Sequence, residues 1–374
     1  MKKFFMLIAT ASLTFTAIAI GGATNAATPT TSAVNFGGDP TGIAITSDGS
    51  NAYIADCANN LLKEVSLSTN LVSNIATVGT CPMSVVLSPD GKTAYVPNYW
   101  SQDLSVVDLT SKTVTATVPL TGSLFSISIT QDGSKLLVPN SIGDVFIIDT
   151  ATNTILQTVA VDGAPVYSAF SPDGLTAYVT SANTPTLSVI DVATGTVSHT
   201  YTFNVGQLYG VTLNFDGSKA FVAEFDGGSG TSVLQIDTAS GVLDKTMTVC
   251  AGPQNSSFAP DSSLLLVACV SGNLNVLNVE TGVVASTVST ESGSRYVAIT
   301  PDGSNAVVGN LDSHSLTVVS FDPALVPPVE PGKVVDKNAG GLAATGVESN
   351  PALLLVGLVL MAVAAVFGLK SKLR

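Results

Sequence analysis

Bond-making at neutral pH draws on a small set of side chains, and this chain holds few of them. It has two histidines, His199 and His314, and four cysteines, Cys57, Cys81, Cys250 and Cys269. No His-x-x-x-His pair, Cys-x-x-Cys pair, glycine-rich phosphate loop or Ser–His–Asp order occurs. Arg295 is the one arginine ahead of the terminal Arg374. No catalytic residue, metal ligand or cofactor is therefore assigned. What remains is suited to gripping: Tyr99 beside Trp100 (the single tryptophan), Phe125, Tyr167, Tyr209, Glu224 beside Phe225, and Arg295 beside Tyr296. Rings with a polar tip near a few acids fit stacking against a sugar or holding a peptide. The competing reading is that these rings only wedge between structural units.

The elements that must position these rings repeat. Asp-Gly occurs at Asp48, Asp90, Asp132, Asp173, Asp216 and Asp302, with a degenerate Asp261-Ser262 in the one gap. Successive aspartates are 42, 42, 41, 43, 45 and 41 residues apart. A period near 42 suits a four-stranded propeller blade. In the second copy the strands read Met83–Leu87, Ala94–Val96, Leu104–Asp108 and Val114–Val118 around the turn Pro89-Asp90-Gly91-Lys92. The expectation is all-β: seven blades over residues 32–322. Because the seventh copy lacks a fourth strand, Ser32–Phe36 is expected to supply it and close the ring.

The recurrent acids have a structural explanation. The turn aspartates cap hairpins, and Asp108, Asp149, Asp191 and Asp237 end third strands, where Asx-turns form. Sites are sought instead where the symmetry breaks, on the face carrying the inter-blade linkers. Met83, Phe125, Tyr167, Tyr209, Arg295 and Tyr296 stand just before first strands, and Tyr99, Trp100, Glu224, Phe225 and Asp226 follow second strands. Asp56, Asn98, Asn140 and Asn310 also end second strands, where turn-capping is the leading reading. In a propeller, linkers and second-strand ends share a face, so the cysteine positions predict Cys57–Cys81 and Cys250–Cys269 pairs, with buried free thiols as the alternative.

The segments SPDGKTAYVPN and LSVVDLTSKTVTATVPL closely resemble the YVTN-type propeller repeat of bacterial and archaeal surface proteins. The resemblance spans roughly residues 35–322 and speaks for fold more than for function. The fifth and sixth copies depart from it, reading Phe221-Val222-Ala223-Glu224 and Leu266-Val267-Ala268-Cys269.

The ends suggest an address. Lys2 and Lys3, the apolar run Phe4–Ile20 and small residues to Ala26 read as a secretory signal peptide over 1–26. Residues 323–341 are Pro- and Gly-rich and read as a spacer. Leu342-Ala343-Ala344-Thr345-Gly346 then precedes an apolar run, 351–369, and a basic tail. As a helix that run extends roughly 28 Å, enough to span a bilayer core. This order resembles the Gram-positive cell-wall sorting signal, with Ala343 where proline is usual. The resemblance implies cleavage by a sortase between Thr345 and Gly346 and covalent attachment of Thr345 to peptidoglycan or another surface protein. An ordinary single-pass anchor is the alternative, and either way the propeller lies outside the cell.

Composition agrees with that address. The chain has 14 basic and 27 acidic residues. Setting aside Lys2, Lys3, Lys370, Lys372, Arg374 and Glu348 leaves 9 and 26, a net charge of −17 for the processed chain. Such a chain, without a basic cluster in its repeats, is unsuited to nucleic acid. The expected role is non-enzymatic: binding a carbohydrate, peptide or protein, or serving as a surface scaffold. The alternative is an extracellular propeller enzyme of lactonase or lyase type.

Overall fold

The computed structural model describes residues 28–322, and every element below falls within them. The signal peptide, spacer, sorting pentapeptide and apolar run read above lie outside the described residues. Twenty-eight strands form seven four-stranded antiparallel sheets. A first strand, β1 (Thr30–Asn35), is followed by blade one: β2 (Pro40–Ile45), β3 (Asn51–Asp56), β4 (Leu61–Ser66) and β5 (Val72–Thr77). Blade two is β6 (Val86–Leu87), β7 (Thr93–Asn98), β8 (Asp103–Asp108) and β9 (Thr113–Pro119). Blade three is β10 (Ser128–Ile129), β11 (Lys135–Pro139), β12 (Asp144–Asp149) and β13 (Thr154–Ala160). Blade four is β14 (Pro165–Phe170), β15 (Thr176–Ser181), β16 (Thr186–Asp191) and β17 (Thr196–Thr202). Blade five is β18 (Leu208–Leu213), β19 (Lys219–Glu224), β20 (Ser232–Asp237) and β21 (Leu243–Thr248). Blade six is β22 (Pro253–Phe258), β23 (Leu264–Cys269), β24 (Asn273–Asn278) and β25 (Val283–Ser289). Blade seven has β26 (Ser294–Ile299), β27 (Asn305–Asn310) and β28 (Ser315–Ser320), and β1 joins it.

The sequence explains why each strand takes its place. Second and third strands are covered on both faces by neighbouring blades, so Ala94–Val96 and Leu104–Val107 are buried without alternation. Fourth strands have one wet face, and Thr113–Pro119 alternates half-buried and exposed positions accordingly. In the Asp-Gly turns, Gly91 takes φ +69° and a carboxylate oxygen of Asp90 accepts the Ser88 hydroxyl at 2.5 Å. The degenerate copy keeps that backbone, forcing Ser262 to φ +59°.

The ring closes as expected, with the closing strand two residues earlier than read. Residues Thr30–Asn35 run antiparallel to Ser315–Ser320, from Thr30 opposite Ser320 to Asn35 opposite Ser315. Val34 and Phe36 bury into one core with Ile54, Val65, Leu316 and Val318, sealing blade seven to blade one. The first strand of blade two is shorter than Met83–Leu87. Only Val86 and Leu87 form a ladder, while Pro82 bridges Asn98 alone. In blades one, four, five, six and seven the same point carries a register shift, because the chain swings two successive residues inward there.

Candidate functional site

At that inward swing, pairing with the second strand sets the true alignment between blades. Pro40, Pro82, Leu124, Pro165, Leu208, Pro253 and Ser294 are equivalent, each opposite the last residue of its second strand or, in blade three, opposite Asn140 just after β11. One residue on stand Thr41, Met83, Phe125, Val166, Tyr209, Gln254 and Arg295; two on, Gly42, Ser84, Ser126, Tyr167, Gly210, Asn255 and Tyr296. Tyr167 and Tyr296 therefore sit one step beyond the position shared by Met83, Phe125 and Tyr209. Counting forward to the turn aspartate separates the same two positions: Met83, Phe125, Tyr209 and Arg295 stand seven residues before it, and Tyr167 and Tyr296 six.

The offset separates two populations of ring. Tyr167 and Tyr296 are buried, and their hydroxyls interact although blades four and seven lie across the ring from each other. The Gln254 amide donates to the Tyr167 hydroxyl at 3.4 Å, and Arg295 Nη1 donates to Gln254 Oε1 at 3.3 Å. Asp312 lies 3.6 Å from the same guanidinium. Burial pushes the Tyr296 phenol up to about 12 and raises Tyr167 well above its ordinary value, so both stay neutral. These residues cross and fill the channel. Gln254 was passed over in the sequence, although it stands seven residues before Asp261, the spacing that Tyr209 and Arg295 keep from Asp216 and Asp302.

The second population is more open. Tyr99 meets Trp100 edge-on at 4.5 Å and Phe125 edge-on at 5.0 Å. Tyr209 lies 4.5 Å from Phe225 and 6.0 Å from Tyr167. Burial raises the Tyr209 phenol, against the pull of the nearby Arg295 charge. Trp100 is 66% exposed. Its loop is pinned to the linker entering blade two, since the Tyr99 and Trp100 amides donate to the Cys81 and Thr80 carbonyls. The Cys57–Cys81 disulfide fastens that linker to blade one, and Cys250–Cys269 does the same within blade six.

Other expected rim residues serve the fold. Asn98, Asn140, Asn310 and Asp56 are fully buried. Asn98 donates to an Asp103 carboxylate oxygen at 2.6 Å, and Asn140 to the Thr121 carbonyl at 2.8 Å. Glu224 is half-buried and accepts the Gly206 amide at 2.8 Å, which ties the linker entering blade five. His199 stacks on Tyr201 in the outer strand of blade four, while His314 Nδ1 meets Asp39 Oδ1 at 2.6 Å across the ring closure. Among the described residues no group of three or more His, Cys, Asp or Glu side chains is placed to hold a metal ion, and no helix is long and apolar enough to cross a membrane. A groove of about 390 Å³ lies on the opposite, Asp-Gly face between blades three and four, lined by residues including Gln131, Lys135 and Leu175.

The chain is a seven-bladed β-propeller that carries aromatic side chains on the linker face of blades two, three and five. No protein-family model matches it, and no curated protein does. Among solved structures it is similar to Kuenenia stuttgartiensis hydrazine synthase, with a TM-score of 0.70 and 21% identity over 76% of this chain and 96% of that one. Matches extend to 1933 solved chains, so this likeness speaks for the fold alone.

Proposed function

We propose that this protein is a recognition propeller displayed on the cell surface, binding a carbohydrate, peptide or protein at its linker-face mouth without making or breaking bonds. The observation that carries the reading is Trp100. A tryptophan left two-thirds exposed, yet met edge-on by Tyr99, which Phe125 meets edge-on in turn, forfeits burial that the fold could have used. Rigid, exposed aromatic groups of this kind anchor ligands and partners.

The address belongs to the same proposal. Residues 1–26 export the chain, a sortase cleaves after Thr345, and Thr345 is joined to peptidoglycan or a neighbouring surface protein. The membrane is touched only through the C-terminal run before cleavage. Two disulfides agree with an oxidising compartment. The likeness of the repeats to the YVTN type of surface protein points the same way. The test is a glycan and peptide array probed with the full chain and with a Trp100→Ala/Tyr209→Ala double variant. Binding that the variant loses supports recognition at this mouth, and silence from both removes it in favour of a scaffold without a ligand.

A further inference from the structure

The mouth is not uniform, and its asymmetry names a ligand chemistry. Two adjacent blades present the same pair of features. In blade two the exposed Trp100 precedes Asp103, the first residue of β8; in blade three Ile142, 67% exposed, precedes Asp144, the first residue of β12. The other five blades begin their third strands with Leu61, Thr186, Ser232, Asn273 and Ser315. Ile142 stands over the linker at Gly122, three residues before Phe125, so it borders the same linker as the Trp100–Tyr99–Phe125 cluster.

Charge on this face is one-sided. Lys92, Lys112, Lys135, Lys219 and Lys245 all lie toward the Asp-Gly turns on the opposite face. Toward the mouth, Lys63 is buried against Asp56, and Arg295 is occupied by Gln254 and Asp312. Asp103 and Asp144 flank the apolar patch, and Asp162 and Asp226 are exposed further round the same face. An aromatic surface bordered by carboxylates attracts cations twice, through ring quadrupoles and through the field of the acids.

Resting on the recognition reading above, we infer that the patch on blades two and three takes a lysine- or arginine-rich peptide segment of a partner protein. Its aliphatic stems lie on Trp100, Tyr99 and Ile142 while its charged heads meet Asp103 and Asp144.

Trp100 is the only tryptophan, so its fluorescence reports occupancy of this patch directly. The full chain is titrated with an alternating Lys-Ala peptide, an alternating Glu-Ala peptide and chitohexaose, and binding to variants is followed by calorimetry. The expected result is a saturable change with the Lys-Ala peptide only. Affinity should fall at least tenfold in Trp100→Ala and in Asp103→Asn/Asp144→Asn, provided both melt like the parent. Asp144→Asn alone and Ile142→Ser are the substitutes should Asp103→Asn disturb Asn98. Equal Lys-Ala binding by the parent and all variants overturns the inference, leaving only diffuse attraction to an acidic chain. A response to chitohexaose or the Glu-Ala peptide without one to Lys-Ala also overturns it, while the recognition reading stands. If no probe binds, the inference falls, and the array decides the recognition reading separately.

Discussion

Lys63 Nζ lies 2.7 Å from Asp56 Oδ2, both side chains almost wholly buried where the closing strand hands the chain to blade one. The ammonium also donates to the Phe36 and Gly37 carbonyls and sits 4.4 Å from the centre of the Phe36 ring. Asp56 in turn accepts the Asp39 amide and the Asn59 side chain. One buried ion pair thus fixes the exit from β1, and with it the ring closure. Removing one partner strands the other charge, so Lys63→Met should cost about 3–5 kcal/mol in urea unfolding. Lys63→Met/Asp56→Asn should recover part of that loss. Equal loss in the single and double variants would show that the pair does not act as a unit.

The Cys57–Cys81 bridge spans 24 residues of sequence. Closing a loop of that length stabilises by about 2–4 kcal/mol through the unfolded chain. Cys57→Ser/Cys81→Ser should lose that amount. The same linker carries the carbonyls that hold Tyr99 and Trp100. The variant should therefore also show faster local motion of Trp100 by fluorescence anisotropy. The corresponding change at Cys250 and Cys269 should destabilise similarly without touching the Trp100 signal.

Acid should act through the Asp-Gly turns. The Thr46 hydroxyl, aided by Ser50, lowers Asp48 to about 2, and Thr130 with Ser134 lowers Asp132 to about 2. Folded values below the unfolded value of about 3.9 mean that the ionised turns favour the fold. Their contribution is complete above about pH 4 and is lost as pH falls through about 2. Thermal midpoints should therefore be insensitive to these turns from pH 7 to 5 and drop below pH 4. Thr46→Val/Thr130→Val should flatten the drop, and an unchanged acid slope would count against this account.

Ser262 occupies a left-handed position that glycine fills in the other six turns. A non-glycine residue there costs roughly 1–2 kcal/mol, against roughly 0.5–1 kcal/mol of extra chain entropy for glycine. Ser262→Gly should raise stability by about 0.5–1 kcal/mol on balance. The melting curve checks this, and a loss would mean that the Ser262 side chain contributes more than the backbone strain removes.

How much of this was legible depends on what each feature writes into the chain. Turn aspartates and glycines sit at fixed positions in every copy, so the blades, the closing strand and both disulfides could be read from spacing. The mouth was legible in membership and blurred in order. Phe125, Tyr167, Tyr209 and Tyr296 were identified, but as one set, although Tyr167 and Tyr296 stand six residues before their turn aspartates and Phe125 and Tyr209 seven. Asp103 and Asp144 look like ordinary strand residues until the seven third strands are laid side by side. Ile142 was passed over because a single aliphatic residue in a loop has no pattern of its own.

The two populations of ring make opposite predictions under truncation. Tyr167 is buried among Val166, Leu187 and Leu208 and holds Gln254, so Tyr167→Ala opens a cavity and orphans a buried amide. A cost of about 3–5 kcal/mol is expected, as for other large aromatic truncations. Trp100 is two-thirds in solvent and touches Tyr99 by its edge. Trp100→Ala should leave stability within about 0.5 kcal/mol of the parent. Paired melts of the two variants separate rings that hold the channel from rings free to meet a ligand. If Trp100→Ala proved as costly as Tyr167→Ala, the tryptophan would be a structural wedge and its exposure would no longer argue for recognition.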